Sequence, residues 1–148
     1  MDNIKLKIKK ISPHAKIPFY ATKGASGMDL YAANETPVTL KPLERKLIPT
    51  GLQIELPENY EAQIRPRSGL SIKHGITLIN CVGTIDEDYR GEVCIALVNL
   101  SNEEFTINQG DRIAQMVIQH VAKVNIEEVE DLSETARSSG GFGSTGLR

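Results

Sequence analysis

This sequence predicts a single all-β domain with little helix, and three observations point that way. Apolar and charged residues alternate at period two in several short runs. Prolines at 13, 18, 37, 42, 49, 57 and 66 cut the first half into pieces too short for stable helices. With three Phe, four Tyr and no Trp, the core must be filled by Ile, Leu and Val, whose branched side chains suit the pleat of a strand. The 148 residues fit one core, since single cores usually serve roughly 100–200 residues.

The runs follow in order. Ile4, Leu6 and Ile8 alternate with Lys5, Lys7 and Lys9, a half-exposed strand over residues 4 to 9. Leu52, Ile54 and Leu56 alternate with Gln53 and Glu55, and Tyr60, Ala62 and Ile64 with Glu61 and Gln63. Pro57-Glu58-Asn59 between them reads as a turn, giving a hairpin or a corner. Ser68 to Lys73 is the one stretch with helical character. Asn80 to Gly91 is an acidic turn between two apolar runs and predicts a hairpin. Val93 to Val98 is apolar at both parities, as expected of a central strand covered on both faces. Ile113 to Val121 is similar, interrupted by Gln115 and Gln119, and a polar side chain on a buried strand aims at a partner or ligand. Such spacing suits a sandwich, barrel or jelly roll. From Arg137 to Arg148 the chain turns to glycine and serine around a lone Phe142. By itself that segment cannot offset its ordering entropy, which makes residues 1–136 the domain and 137–148 a tail.

Seventeen basic and nineteen acidic residues give a net charge of -2, which supplies no general field for a long polyanion such as DNA. The first residues lack the uninterrupted apolar core of a signal peptide, and no apolar run reaches the ~18 residues of a membrane span. A cytoplasmic protein with no membrane partner is the expectation, and Cys81 and Cys94 are expected to be reduced.

Arg65-Pro66-Arg67-Ser68-Gly69 is the densest candidate anion site in the chain. Guanidinium forks match phosphate oxygens, and glycine lets backbone N–H groups converge, although a basic surface turn has the same composition. Of Asp86, Glu87 and Asp88, at most two share a face; one of them could orient a water beside a phosphate, or all could be solvated. Asp29 sits in an apolar stretch and must have a partner, either an arginine or a metal-bound water. The tail is either disordered or a strip joining a stacking ring, Phe142, to a guanidinium, Arg137.

In identity and order these segments resemble the five motifs of the trimeric deoxyuridine 5'-triphosphate nucleotidohydrolase (dUTPase) family. Gly27 to Ala33 is similar to the first motif and Pro66 to Leu70 to the second. Gly83 to Asp86 with Asp88 to Glu92 is similar to the third, Gly110 to Gln115 to the fourth and Arg137 to Gly146 to the fifth. Cys81-Val82 stands where many members have serine and proline. The resemblance implies a jelly roll or distorted β-barrel forming a homotrimer, with a C-terminal arm that closes a neighbour's active site. It implies hydrolysis of dUTP to dUMP and pyrophosphate, limiting uracil in DNA and supplying the thymidylate precursor, with Mg2+ held chiefly by the triphosphate.

Carried over by position, the resemblance makes Asp86 the residue that orients the attacking water. Arg67, Ser68 and Gly69 hold the phosphates, and Gln115 reaches the same region. Asn80 and the main chain near Cys94 read the uracil edge, Thr84 and Ile85 line the sugar pocket, and Tyr89 packs under the deoxyribose. Asp29 supports the metal through water, Phe142 stacks on uracil and Arg137 meets the γ-phosphate. Two other readings share the fold: a dCTP deaminase, which would carry a second serine at Gly69 and need no arm, and a non-catalytic nucleotide-sensing trimer.

Overall fold

The computed structural model describes residues 4–141. Ten strands and one short helix follow in order: β1 Lys7–Lys10, β2 Met28–Tyr31, β3 Val38–Leu40, β4 Arg45–Glu55, β5 Tyr60–Arg65, α1 Ser68–His74, β6 Ile76–Leu78, β7 Gly83–Ile85, β8 Glu92–Asn99, β9 Phe105–Ile107 and β10 Arg112–His120. They form two four-stranded sheets, β1-β4-β8-β6 and β2-β10-β5-β7, with β3-β9 as a separate pair. Every pairing is antiparallel. Among the described residues, no helix is long and apolar enough to cross a membrane.

One apolar core joins the sheets. Ile48, Leu52, Ile95 and Leu97 come from the first, and Leu30, Ala62, Ile113 and Met116 from the second, all fully buried. Period-two alternation is what delivers them, because each strand turns one parity inward. The expected strand over residues 4 to 9 is shorter. Its pairing starts at Lys7 opposite Glu55, where β4 ends, so Leu6 and Ile8 pack on the core while Ile4 is exposed.

Two connections separate sheets that the linear pattern would join. Pro57 to Asn59 is a corner, because β4 belongs to one sheet and β5 to the other. Asn59 takes φ +64°, and Tyr60 N–H donates to Pro57 O at 3.2 Å. The acidic turn is likewise not a β-hairpin: β7 pairs with β5 and β8 with β4 and β6. The two apolar runs therefore diverge after the turn.

In β4 the register with β8 shifts between Pro49 and Gln53. Gly51 sits in this irregularity at φ +67°, where a Cβ would lie 2.7 Å from Ser12 Cβ and 2.9 Å from Ala15 Cβ. Its N–H donates to Glu92 Oε1 at 2.8 Å. Positive φ and a filled space both require glycine here. Gly51→Ala should destabilise the fold by about 2 kcal/mol, within the usual range for forced backbone strain. Thermal unfolding checks this as a Tm several degrees below wild type.

Candidate active site

The divergence of β7 and β8 opens a cleft of about 260 Å³. Asn80, Thr84, Ile85, Asp86, Tyr89 and Cys94 all line it. The alternation of β8 explains Cys94: Val93, Ile95 and Leu97 point into the core, so Cys94 and Ala96 face the cleft. The second apolar parity of this strand is thus cleft wall at Cys94 and Ala96, while Val98, further along, is buried as expected of a strand covered on both faces. Burial, reinforced by the nearby Glu92 carboxylate, pushes the Cys94 thiol up to about 11, so it stays neutral at physiological pH. Cys81 is also a free thiol, and it is exposed.

Tyr89 is fixed at the cleft mouth. Its Oη donates to Glu92 O at 3.0 Å, and its ring lies so close over Gly91 that a Cβ there would collide with the phenol. Asp86 is exposed, and its carboxylate has no hydrogen-bond or ionic partner among the described residues. Its neighbour Glu87 is engaged instead, by Asn59 N–H at 2.6 Å and Lys123 Nζ at 3.2 Å. Those contacts hold the Glu87 carboxyl below the usual carboxylate range.

A second group gathers where β5 passes into α1. The registers β2-β10 and β10-β5 set Asp29, Gln115 and Arg65 side by side across three strands. Gln115 Nε2 donates to Pro66 O at 3.0 Å, pinning the strand-to-helix link. Arg67 ends the extended chain at the α1 N-cap and donates from Nε to Asp29 Oδ1 at 3.0 Å and from NH1 to Arg112 O at 3.3 Å. Arg112 NH1 reaches Asp29 Oδ2 at 3.3 Å. Asp29 therefore has the ionic partner its apolar setting demands, twice over. Ser68 and Gly69 open α1, whose first-turn N–H groups have no partner within the helix.

The two groups do not meet within one chain. Ile85 lies opposite Ala62, which sets Asp86 beside position 61, whereas Arg67 follows Arg65 at the other end of β5. Six residues of extended chain separate them, roughly 20 Å. Arg137 sits in an exposed turn, its Nε donating to Gly140 O at 2.8 Å. Phe142 lies outside the described residues.

The fold defines an all-β protein of the jelly-roll or distorted-barrel class with an open cleft and a separate guanidinium cluster. Comparison with known proteins makes this specific. The dUTPase family model matches residues 13–146. The chain is 63% identical over 142 residues to a deoxyuridine 5'-triphosphate nucleotidohydrolase of Finegoldia magna, covering 95% of this chain and 99% of that protein. It is 61% identical over 137 residues to one from Neorickettsia sennetsu, covering 90% and 92%. Among solved structures, the Staphylococcus bacteriophage 80alpha dUTPase with dUpNHpp superposes with a TM-score of 0.89 at 27% identity, over 97% of this chain and 99% of that one. A variant dUTPase from phage phi11 of S. aureus, described with a structural Mg(II) ion, gives 0.81 at 25% identity, over 88% and 99%. The chain belongs to the dUTPase family.

Arg112 was given no role by the sequence, and Glu87 was read only as one of three carboxylates that could orient a water, not as one held by Asn59 and Lys123. Arg112 stood inside the segment resembling the fourth motif, but its partner Asp29 is 83 positions away. The raised thiol of Cys94 has a direct consequence. At pH 8 iodoacetamide should label Cys81 while Cys94 reacts slowly, its rate rising about tenfold per pH unit toward the range of its own titration. Mass spectrometry of timed digests measures both sites.

Proposed function

We propose that the protein hydrolyses dUTP to dUMP and pyrophosphate in a site assembled between copies of the chain. A homotrimer supplies the copies, with residues 137–148 as an arm and 1–136 as the barrel domain. The observation that carries this reading is the cleft between β7 and β8, where an uncommitted carboxylate, Asp86, stands among residues suited to hold a nucleoside. Relatives named deoxyuridine 5'-triphosphate nucleotidohydrolase supply the substrate.

In this mechanism Asn80 and the main chain around Cys94 take the uracil edge. Thr84 and Ile85 flank the sugar, and Tyr89, held by Glu92 O, leaves no room for a ribose 2′-hydroxyl. Arg67, oriented by Asp29, presents its remaining N–H groups to the phosphates beside the first-turn N–H groups at Ser68 and Gly69. Gln115 supports that region from β10. Arg137 meets the γ-phosphate and Phe142 stacks on uracil when the arm closes. Asp86 accepts a hydrogen bond from the attacking water and draws off its proton as the oxygen bonds to the α-phosphorus. The bond from that phosphorus to the bridging oxygen breaks, and pyrophosphate leaves. Positioning of this kind suits a loose phosphoryl transition state.

Magnesium fits this donor set as an ion carried by the substrate. Both Asp29 oxygens already face guanidiniums, so Asp29 would reach the ion through water. When bound, the ion neutralises charge on the triphosphate oxygens and favours departure of pyrophosphate.

With dUTP and magnesium the protein should release one pyrophosphate per dUMP. Asp86→Asn should lower kcat by about 10²- to 10⁴-fold, the usual worth of a positioned base, while dUTP binding stays near wild type. Unchanged turnover in that variant, or ammonia released from dCTP, would contradict the assignment.

A further inference from the structure

Asp86 has no side-chain tether among the described residues, so its direction is set by the backbone of its turn. Two kinds of bond hold that backbone. Some are internal: Tyr89 N–H donates to Asp86 O at 3.1 Å, and Arg90 NH1 donates to Glu87 O at 2.7 Å and Tyr89 O at 3.0 Å. Such bonds give the turn its shape but leave it free to swing as a unit about its ends. Between Asp86 and Gly91, among the described residues, Glu87 is the one side chain bonded to segments distant in sequence, whereas Tyr89 Oη reaches only Glu92 O, three residues on at the start of β8.

We propose that Glu87 is the positioning residue for Asp86, its carboxylate clamped between Asn59 N–H and Lys123 so that the neighbouring carboxylate keeps its aim at the cleft. The proposal rests on the reading of Asp86 as the group that orients water. Its strength lies in the anchor. Asn59 is the left-handed residue of the β4–β5 corner, and its carbonyl accepts Val121 N–H at 2.8 Å. Lys123, two residues further on, supplies the second contact to Glu87. Turn, corner and the chain after β10 are thus closed into one unit around a single carboxylate.

The two contacts differ in weight. The Asn59 N–H bond is short, 2.6 Å, and charge-assisted, whereas Lys123 is 63% exposed and its ion pair is screened by solvent. The backbone bond therefore does most of the positioning. Glutamine at position 87 keeps an acceptor for Asn59 N–H at unchanged reach. Aspartate keeps the charge but is one methylene short, and alanine keeps neither.

The experiment measures kcat, KM and Tm for the full chain and for Glu87→Ala, Glu87→Asp and Glu87→Gln with dUTP and magnesium. Glu87→Ala and Glu87→Asp should lower kcat about tenfold or more with KM within about threefold, as expected when a catalytic group is misplaced and substrate contacts are intact. Glu87→Gln should stay within about threefold of wild-type kcat. Should Glu87→Ala fail to fold, Glu87→Asp carries the test. The proposal is overturned if folded Glu87→Asp keeps wild-type kcat, even with a lowered Tm, or if Glu87→Gln falls as far as Glu87→Ala. Absence of pyrophosphate release by the wild-type chain would overturn instead the reading of Asp86 on which this rests.

Discussion

Strand β5 is hydrogen-bonded on both edges, to β10 on one side and β7 on the other. The double pairing leaves it no freedom to slide, because a slip of one residue would turn Ala62 and Ile64 out of the core. It therefore acts as a ruler. One end carries Arg67 and the guanidinium cluster, and Asp86 lies alongside the other. The sheet holds the guanidinium cluster and Asp86 apart within a chain, and the proposed site accordingly draws them from two copies.

The same division into sheets creates the cleft. The runs on either side of the acidic turn are short and apolar, and as a hairpin they would have closed on each other. Each pairs elsewhere instead, and the hydrogen bonds that β7 spends on β5 and β8 on β4 and β6 leave an open wall between them. Three carboxylates then meet three different fates. Asp29 is shared by two arginines, Glu87 is clamped by a backbone N–H and a lysine, and Asp86 is left without either. Only the last has all of its acceptor sites uncommitted among the described residues.

Much of this was legible in the residues. Alternation at Leu52, Ile54 and Leu56, and at Ala62 and Ile64, gave the buried faces, and the stretch near Ser68 foretold α1. The apolar setting of Asp29 required an ionic partner, which it has. Sheet membership was not legible: whether Pro57 to Asn59 or the acidic turn closes a hairpin depends on partners such as β10, whose residues pair with β5 across 50 to 60 positions of sequence. For the same reason no partner for Arg112 or Glu87 could be read from the sequence, since each acquires one from a residue brought near by folding. The order of the motifs carried more information than any motif alone.

The most direct measurement of the account is complementation between inactive chains. Arg67→Ala and Asp86→Asn chains, each inactive alone, are mixed, unfolded and refolded together, and assayed with dUTP and magnesium. If the guanidinium and the carboxylate come from different copies, about a quarter of the sites in a random mixture combine an intact Arg67 with an intact Asp86, and activity returns toward that fraction of wild type. If both groups act from one chain, every site lacks one of them and the mixture stays as inactive as its parts.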